Sequence, residues 1–170
     1  MCSRLLAVLA LFVAAPLAAA EPLDLTNAKN GEAATVLIAR FFERIGLDVF
    51  DKRKETLGLK FGGYTALAIP YFEEDEACRL NLHISFKGRK GNIGNAKLLT
   101  LLNEINETYN YAVISLDKDG DLALRFTLVF DRKLDPKLVH RWLRYVERQA
   151  DGLIFEFNER LLPYQAPSEK

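Results

Sequence analysis

The sequence is short of the features that mark several large protein classes. Only two of its 170 residues are cysteine, so a disulfide-dense scaffold is excluded. Six prolines and ten glycines are too few for a collagen-like or low-complexity chain, and a hydrophobic content of 49% excludes a disordered one. Neither charge is in excess: 23 Lys and Arg face 23 Asp and Glu. That balance argues against nucleic acid as the main partner, because neutralising phosphates takes a clear basic surplus. There is no C-x-x-C, no G-x-S-x-G elbow and no loop ending in GKS or GKT. Neither His83 nor His140 has a second ligand at metal spacing, and both read as surface residues. The expectation is a protein without metal, cofactor or catalytic constellation, and so not an enzyme.

What is present is enough chain and apolar content to close the core of one ordinary domain. Residues 1–20, MCSRLLAVLALFVAAPLAAA, have the layout of a cleaved signal peptide. Arg4 is the basic start, Leu5–Val13 the apolar run, and Ala18 and Ala20 the small residues before Glu21. The mature protein is expected in the periplasm or secreted, with no stable membrane insertion, since no other stretch approaches spanning length. Cleavage removes Cys2, which leaves Cys78 without an intrachain partner, and it reads as a small buried hydrophobe. Residues 21–162 are expected to form a single domain. Residues 163–170, PYQAPSEK, read as a flexible tail.

Three segments have helical periodicity. The first carries Val36, Leu37, Ile38, Phe41, Phe42 and Ile45, with Gly46 as its stop. The second is capped by Asn95 and shows a stripe of Leu98, Leu99, Leu102 and Ile105. The third opens at Asp135-Pro136 and carries Leu138, Val139, Trp142, Leu143, Val146 and Ala150, with a continuation through Leu153, Ile154, Phe157 and Leu161 that Gly152 leaves open as one long helix or two. Strands show strict alternation. Leu80, Leu82, Ile84 and Phe86 form one stripe, and Leu122, Leu124, Phe126, Leu128 and Phe130 another. Ala112, Ile114 and Leu116 join the second stripe across a three-residue loop that pairs Asp117 with Asp121 and puts Gly120 in the left-handed position. Leu57–Lys60 and Tyr64–Tyr71 make an earlier hairpin across Gly62-Gly63, and Pro70 puts the second of these strands at an edge or ends it. The class is α+β: an antiparallel sheet with helices over its even-numbered face.

Three stretches invite a chemical reading. Asp117, Asp119 and Asp121 have the wrong Gly and Glu positions for a calcium loop, so a turn is expected. Gly88–Asn95 is Gly-rich, basic and opens a helix, so Arg89, Lys90 and Asn92 are candidates for an anion or small-ligand site. The odd face of the last hairpin carries Tyr111, Val113, Arg125, Thr127 and Val129, with Tyr109 just before. It is more apolar than a solvent face needs to be, so these residues are candidates for binding a protein partner or a second copy.

The run Leu102-Asn-Glu-Ile-Asn106, followed by Tyr111-Ala-Val-Ile-Ser-Leu-Asp-Lys-Asp-Gly-Asp-Leu-Ala-Leu124, resembles the YbjN family of proposed bacterial sensory transduction regulators. Ala39–Gly46 with Asp48-Val-Phe resembles its first helix, and Cys78–Phe86 its central strand. The likeness covers about residues 33–150. It implies a type III secretion chaperone-like fold in the order α-β-β-β-α-β-β-α, which acts by binding other proteins, often as a dimer, and it brings no catalytic residues. The chain departs from the pattern with Ile105, where many relatives place a Trp, and with its leader, which cytoplasmic relatives lack.

Overall fold

The computed structural model describes residues 20–72, 77–109 and 111–167. The leader expected at residues 1–20 lies outside them except for Ala20, as does the acidic run Glu73–Glu76. The elements are β1 (Leu23–Asp24), α1 (Gly31–Arg44), β2 (Asp48–Arg53), β3 (Thr56–Phe61), β4 (Tyr64–Tyr71), β5 (Cys78–Phe86), α2 (Ala96–Thr108), β6 (Val113–Leu116), β7 (Leu122–Phe130), β8 (Lys133–Leu134) and α3 (Pro136–Leu161). Six strands form one antiparallel sheet in the order β2-β3-β4-β5-β7-β6, and β1 pairs with β8 beside it.

The helices start where side-chain oxygens accept otherwise unpaired backbone N–H groups. Asn30 accepts from Ala33 at 2.9 Å, Asn95 from Leu98 at 3.2 Å, and Asp135 from Lys137 at 2.6 Å. After α1 the chain turns through Gly46 at φ +83°, a conformation that favours glycine. Each helix buries one face, α1 through Ile38, Phe41 and Phe42 and α3 through Val139, Val146, Leu153 and Phe157. The sheet meets them with its alternate residues: Leu57 and Leu59, Ala66 and Ala68, Leu80, Leu82 and Ile84, Leu124 and Phe126. Cys78 is buried in the same layer and is a free thiol. His140 sits half-buried, and its Nε2 donates to the Ile45 carbonyl at 3.1 Å, which pins α3 to the end of α1.

The structure departs from the sequence expectations in several places. A strand, β2, precedes the expected three, and a bulge at Phe50 between Val49 and Asp51 breaks its alternation. Pro70 does not mark an edge: β4 lies between β3 and β5, and Pro70 sits one residue before its end, opposite Leu80. Leu99 is exposed and Leu101 takes its place in the core. With Leu98, Leu102 and Ile105 centring the face, Leu99 lies about 100° round the helix from Leu98. Val36 is exposed because the run Val36-Leu37-Ile38 wraps further than one face. Helix α3 is continuous through Gly152.

The expected boundary at Leu162 also moves. Residues 162–164 form a 3₁₀ turn, and the chain beyond it is tied down. Ala166 N–H donates to Lys87 O at 2.7 Å, Arg89 N–H to Tyr164 O at 3.0 Å, and Arg89 Nε to Gln165 O at 2.7 Å. At the centre, buried Asn92 spends its amide on two carbonyls, Gly120 O and Tyr164 O, each at 2.9 Å. Gly88 fits only because it lacks a side chain, since a Cβ there would lie 1.9 Å from Gly120 O. One loop therefore fastens the Asp117–Asp121 hairpin to the C-terminal segment.

Replacing Asn92 with Leu leaves two carbonyls without their donor and is expected to cost about 2–4 kcal/mol of unfolding free energy. Urea midpoints measure this, and a loss below about 0.5 kcal/mol, the range of ordinary surface changes, would show that the clamp does not hold the fold.

Candidate partner-binding face

The ladders that bury one set of alternate residues leave the other set facing away from the helices. Across the sheet, Leu67 lies opposite His83, His83 opposite Arg125, and Arg125 opposite Val113. The next rows are Ile69, Asn81 and Thr127, then Tyr71, Arg79 and Val129. Phe50 adds to this face from β2, because its ring lies over Gly58, where a Cβ would come within 2.6 Å of it. No described helix covers these side chains: Val129 is 59% exposed, Phe50 49% and Tyr71 47%.

The face is apolar at its margins and polar at its centre. Thr127 Oγ1 donates to Asn81 Oδ1 at 2.7 Å, so the central pair satisfies itself. Arg79 lies 5.6 Å from the Tyr71 ring centroid and Lys60 Nζ 5.5 Å from that of Phe50, and both cations rest on aromatic faces. The arrangement suits contact with another macromolecule: exposed large side chains for area, and cations and amides for orientation. Among the described residues, no three His, Cys, Asp or Glu side chains lie close enough to hold a metal ion.

Four of the six candidate partner residues, Val113, Arg125, Thr127 and Val129, come together here. The other two do not. Tyr109 lies on the helix side, half-buried against Phe157 with its hydroxyl donating to Glu156 Oε2 at 2.8 Å. Tyr111 stands in the turn before β6 with its ring edge-on to Tyr145 of α3, at 5.9 Å. The odd numbering of both carries no face information, because β6 begins only at Val113. The face also includes Phe50, Leu67 and Tyr71, which reading the last hairpin alone does not find. In Thr65–Tyr71 both parities are apolar, so the sequence there does not distinguish inside from outside.

The candidate anion loop is occupied by its own chain. Both Asn92 donor bonds go to backbone carbonyls, and Arg89 is held by Gln165. Lys90, exposed like Arg89, makes no side-chain hydrogen bond or ion pair among the described residues. Asp117, Asp119 and Asp121 form a turn: Asp117 Oδ1 accepts from the N–H groups of Asp119 and Asp121, both at 2.9 Å. Asp121 is held below the usual carboxylate range by the Gly88 N–H and then by Lys87.

A one-sided antiparallel sheet of this order, with its helices on a single face, places the chain among α+β proteins. The YbjN family model, described as "Putative bacterial sensory transduction regulator", matches residues 35–159, and the chain belongs to that family. In structure it is similar to the crystal structure of YbjN from E. coli, described as "a putative transcription regulator". The TM-score is 0.54 at 16% identity, over 76% of this chain and 93% of that one, so the two share a fold. A search of curated proteins finds no match. No described helix is long and apolar enough to cross a membrane.

On the open face, burial holds the His83 imidazole below its ordinary pKa, and the Arg125 guanidinium opposite adds to the effect. A depressed histidine binds its proton less well folded than unfolded. The stability it contributes is therefore intact above the ordinary value and lost as pH falls through it. Urea midpoints are expected to drop between about pH 7.5 and about pH 5, and His83→Gln to flatten part of that drop. An unchanged slope in the variant would remove His83 from the account.

Proposed function

We propose that this is an exported, non-enzymatic regulatory domain that works by binding a protein across the open face of its sheet. The observation that carries this reading is the exposure of Phe50, Leu67, Tyr71, Val113 and Val129 on a face that no described helix covers. A sheet face left open is usually clothed in polar side chains, and this one keeps them to its centre and exposes large apolar ones at its margins. Membership of a regulator family and the lack of a catalytic constellation support the same reading. The partner is another protein or a second copy of the chain. The export half of the proposal rests on the leader at residues 1–20.

Both halves are testable. A photo-crosslinking residue at Val129 is expected to capture a protein in the cell envelope, and one at Glu107 on α2 is not. Val113→Asp with Val129→Asp is expected to abolish that capture, or to reduce a dimer to a monomer in light scattering, while the thermal midpoint stays within a few degrees. Association that survives the double variant would overturn the assignment of this face. Protein recovered from the periplasm is expected to begin at Glu21, and an intact N-terminus there would overturn the export reading.

A further inference from the structure

On the other side of β7 a trough runs between the sheet and α3. Its floor is Leu128 and its wall is Leu138, Trp142 and Tyr145, around a cavity of about 620 Å³. The positions follow from helix geometry. With Val146 facing the core, Leu138, Trp142 and Tyr145 lie on one shoulder of α3, and Arg141, Arg144 and Arg148 form the next strip outward. All three arginines line the trough. Among the described residues none of them has a carboxylate within ion-pairing distance. Elsewhere many cations do: Lys52 with Glu43, Lys87 with Asp121, Lys133 with Asp24, and Arg160 with Glu104. Arg148 lies over the Tyr145 ring at 5.8 Å. The Tyr145 hydroxyl is buried with no hydrogen-bond partner among the described residues.

We propose that this trough is a second recognition site, and that its occupant is an acidic amphipathic helix of another protein. An apolar floor under three uncompensated cations and an unsatisfied hydroxyl is complementary to a ligand that is both apolar and anionic. Arg141 to Arg148 covers seven residues, roughly 10 Å or two helical turns. A helix laid alongside, with apolar residues at i, i+3, i+4 and i+7 and acids flanking them, matches both strips. A small anion would leave Leu138, 41% exposed, and Tyr111, 74% exposed, in water at the margin. A bilayer surface is disfavoured because the apolar side chains line a recess rather than project from the surface.

Trp142 is the chain's single tryptophan and lies in the trough, so its emission reads occupancy directly. The probes are a Leu/Ala/Glu helical peptide with that spacing, the same peptide with Lys for Glu, and vesicles of an anionic phospholipid. The Glu peptide is expected to give a saturable blue shift, with the Lys peptide at least about tenfold weaker. Arg144→Glu is expected to weaken the Glu peptide roughly tenfold, and the same charge reversal at Lys97 on α2 to leave it unchanged. Equal binding of the two peptides, no saturable shift with either, or indifference to Arg144→Glu would overturn the proposal. A shift produced by vesicles alone would also overturn it, assigning the trough to lipid. So would a shift that depends on protein concentration alone and vanishes in Arg144→Glu, assigning it to a second copy.

Discussion

Between Phe86 and Leu122 the chain runs out through α2 and back through β6. It then lays β7 along the whole of β5, from Cys78 opposite Phe130 to Phe86 opposite Leu122. Nine consecutive pairs in one register fix the parity of both strands at once, and a slip of one residue would turn every buried side chain to the other face. The three helices inherit that parity. They pack where Leu80, Leu82, Leu124 and Phe126 point, and no described helix covers the opposite face. Because these partners are distant in sequence, the ladder forms only after a long loop has closed. The clamp around Asn92 lies next to that closure: Gly88 follows β5 and Gly120 precedes β7, so the loop bonds the ends of the two strands where they begin to pair.

What could be read from the sequence was whatever a local pattern encodes. The Asp117–Asp121 turn, the caps at Asn95 and Asp135, and the strict alternation of β5 and β7 all lie within a few residues of the features they determine. The misreadings share a cause, which is that the deciding partner is far away in the chain. Gly88–Asn95 has the composition of an anion-binding loop, but its donors meet carbonyls supplied by Gly120 and Tyr164, 28 and 72 residues on from Asn92. Tyr109 follows α2 and looks available, but α3 brings Phe157 and Glu156 up against it. Strand β2 has no legible alternation because its bulge puts Phe50 out of step and the rest of DVFDKR is mostly charged. The PYQA segment, 163–166, begins a polar tail by composition, yet its backbone completes the hydrogen bonding of the loop after β5.

The zero net charge conceals a segregation that only the fold displays. Many acids and bases meet as exposed pairs, each contributing little to stability. The arginines of the α3 strip escape that pairing although Glu147 stands between Arg144 and Arg148 in the chain, because the Glu147 carboxylate is turned toward Gly62 and Asp151 accepts from the Tyr64 hydroxyl. Neutrality in total therefore coexists with a local strip of like charge, and composition alone does not reveal it.

Strand β7 is common to the two surfaces. Thr127 and Val129 point to the open face, and Leu128 between them points into the trough beside α3. Beyond Arg125, β7 has no β6 residue opposite it, since the pairing with β6 begins at Val113. This half of the strand is held by β5 on one side only, and it carries side chains of both candidate sites on alternate residues. The same alternation separates the two. A change at residue 129 alters the open face without touching the groove, and a change at residue 128 does the reverse, although the two Cα atoms are neighbours in the chain. Two distinct surfaces thus come from the one feature that organises the core, a strand with both of its faces in use.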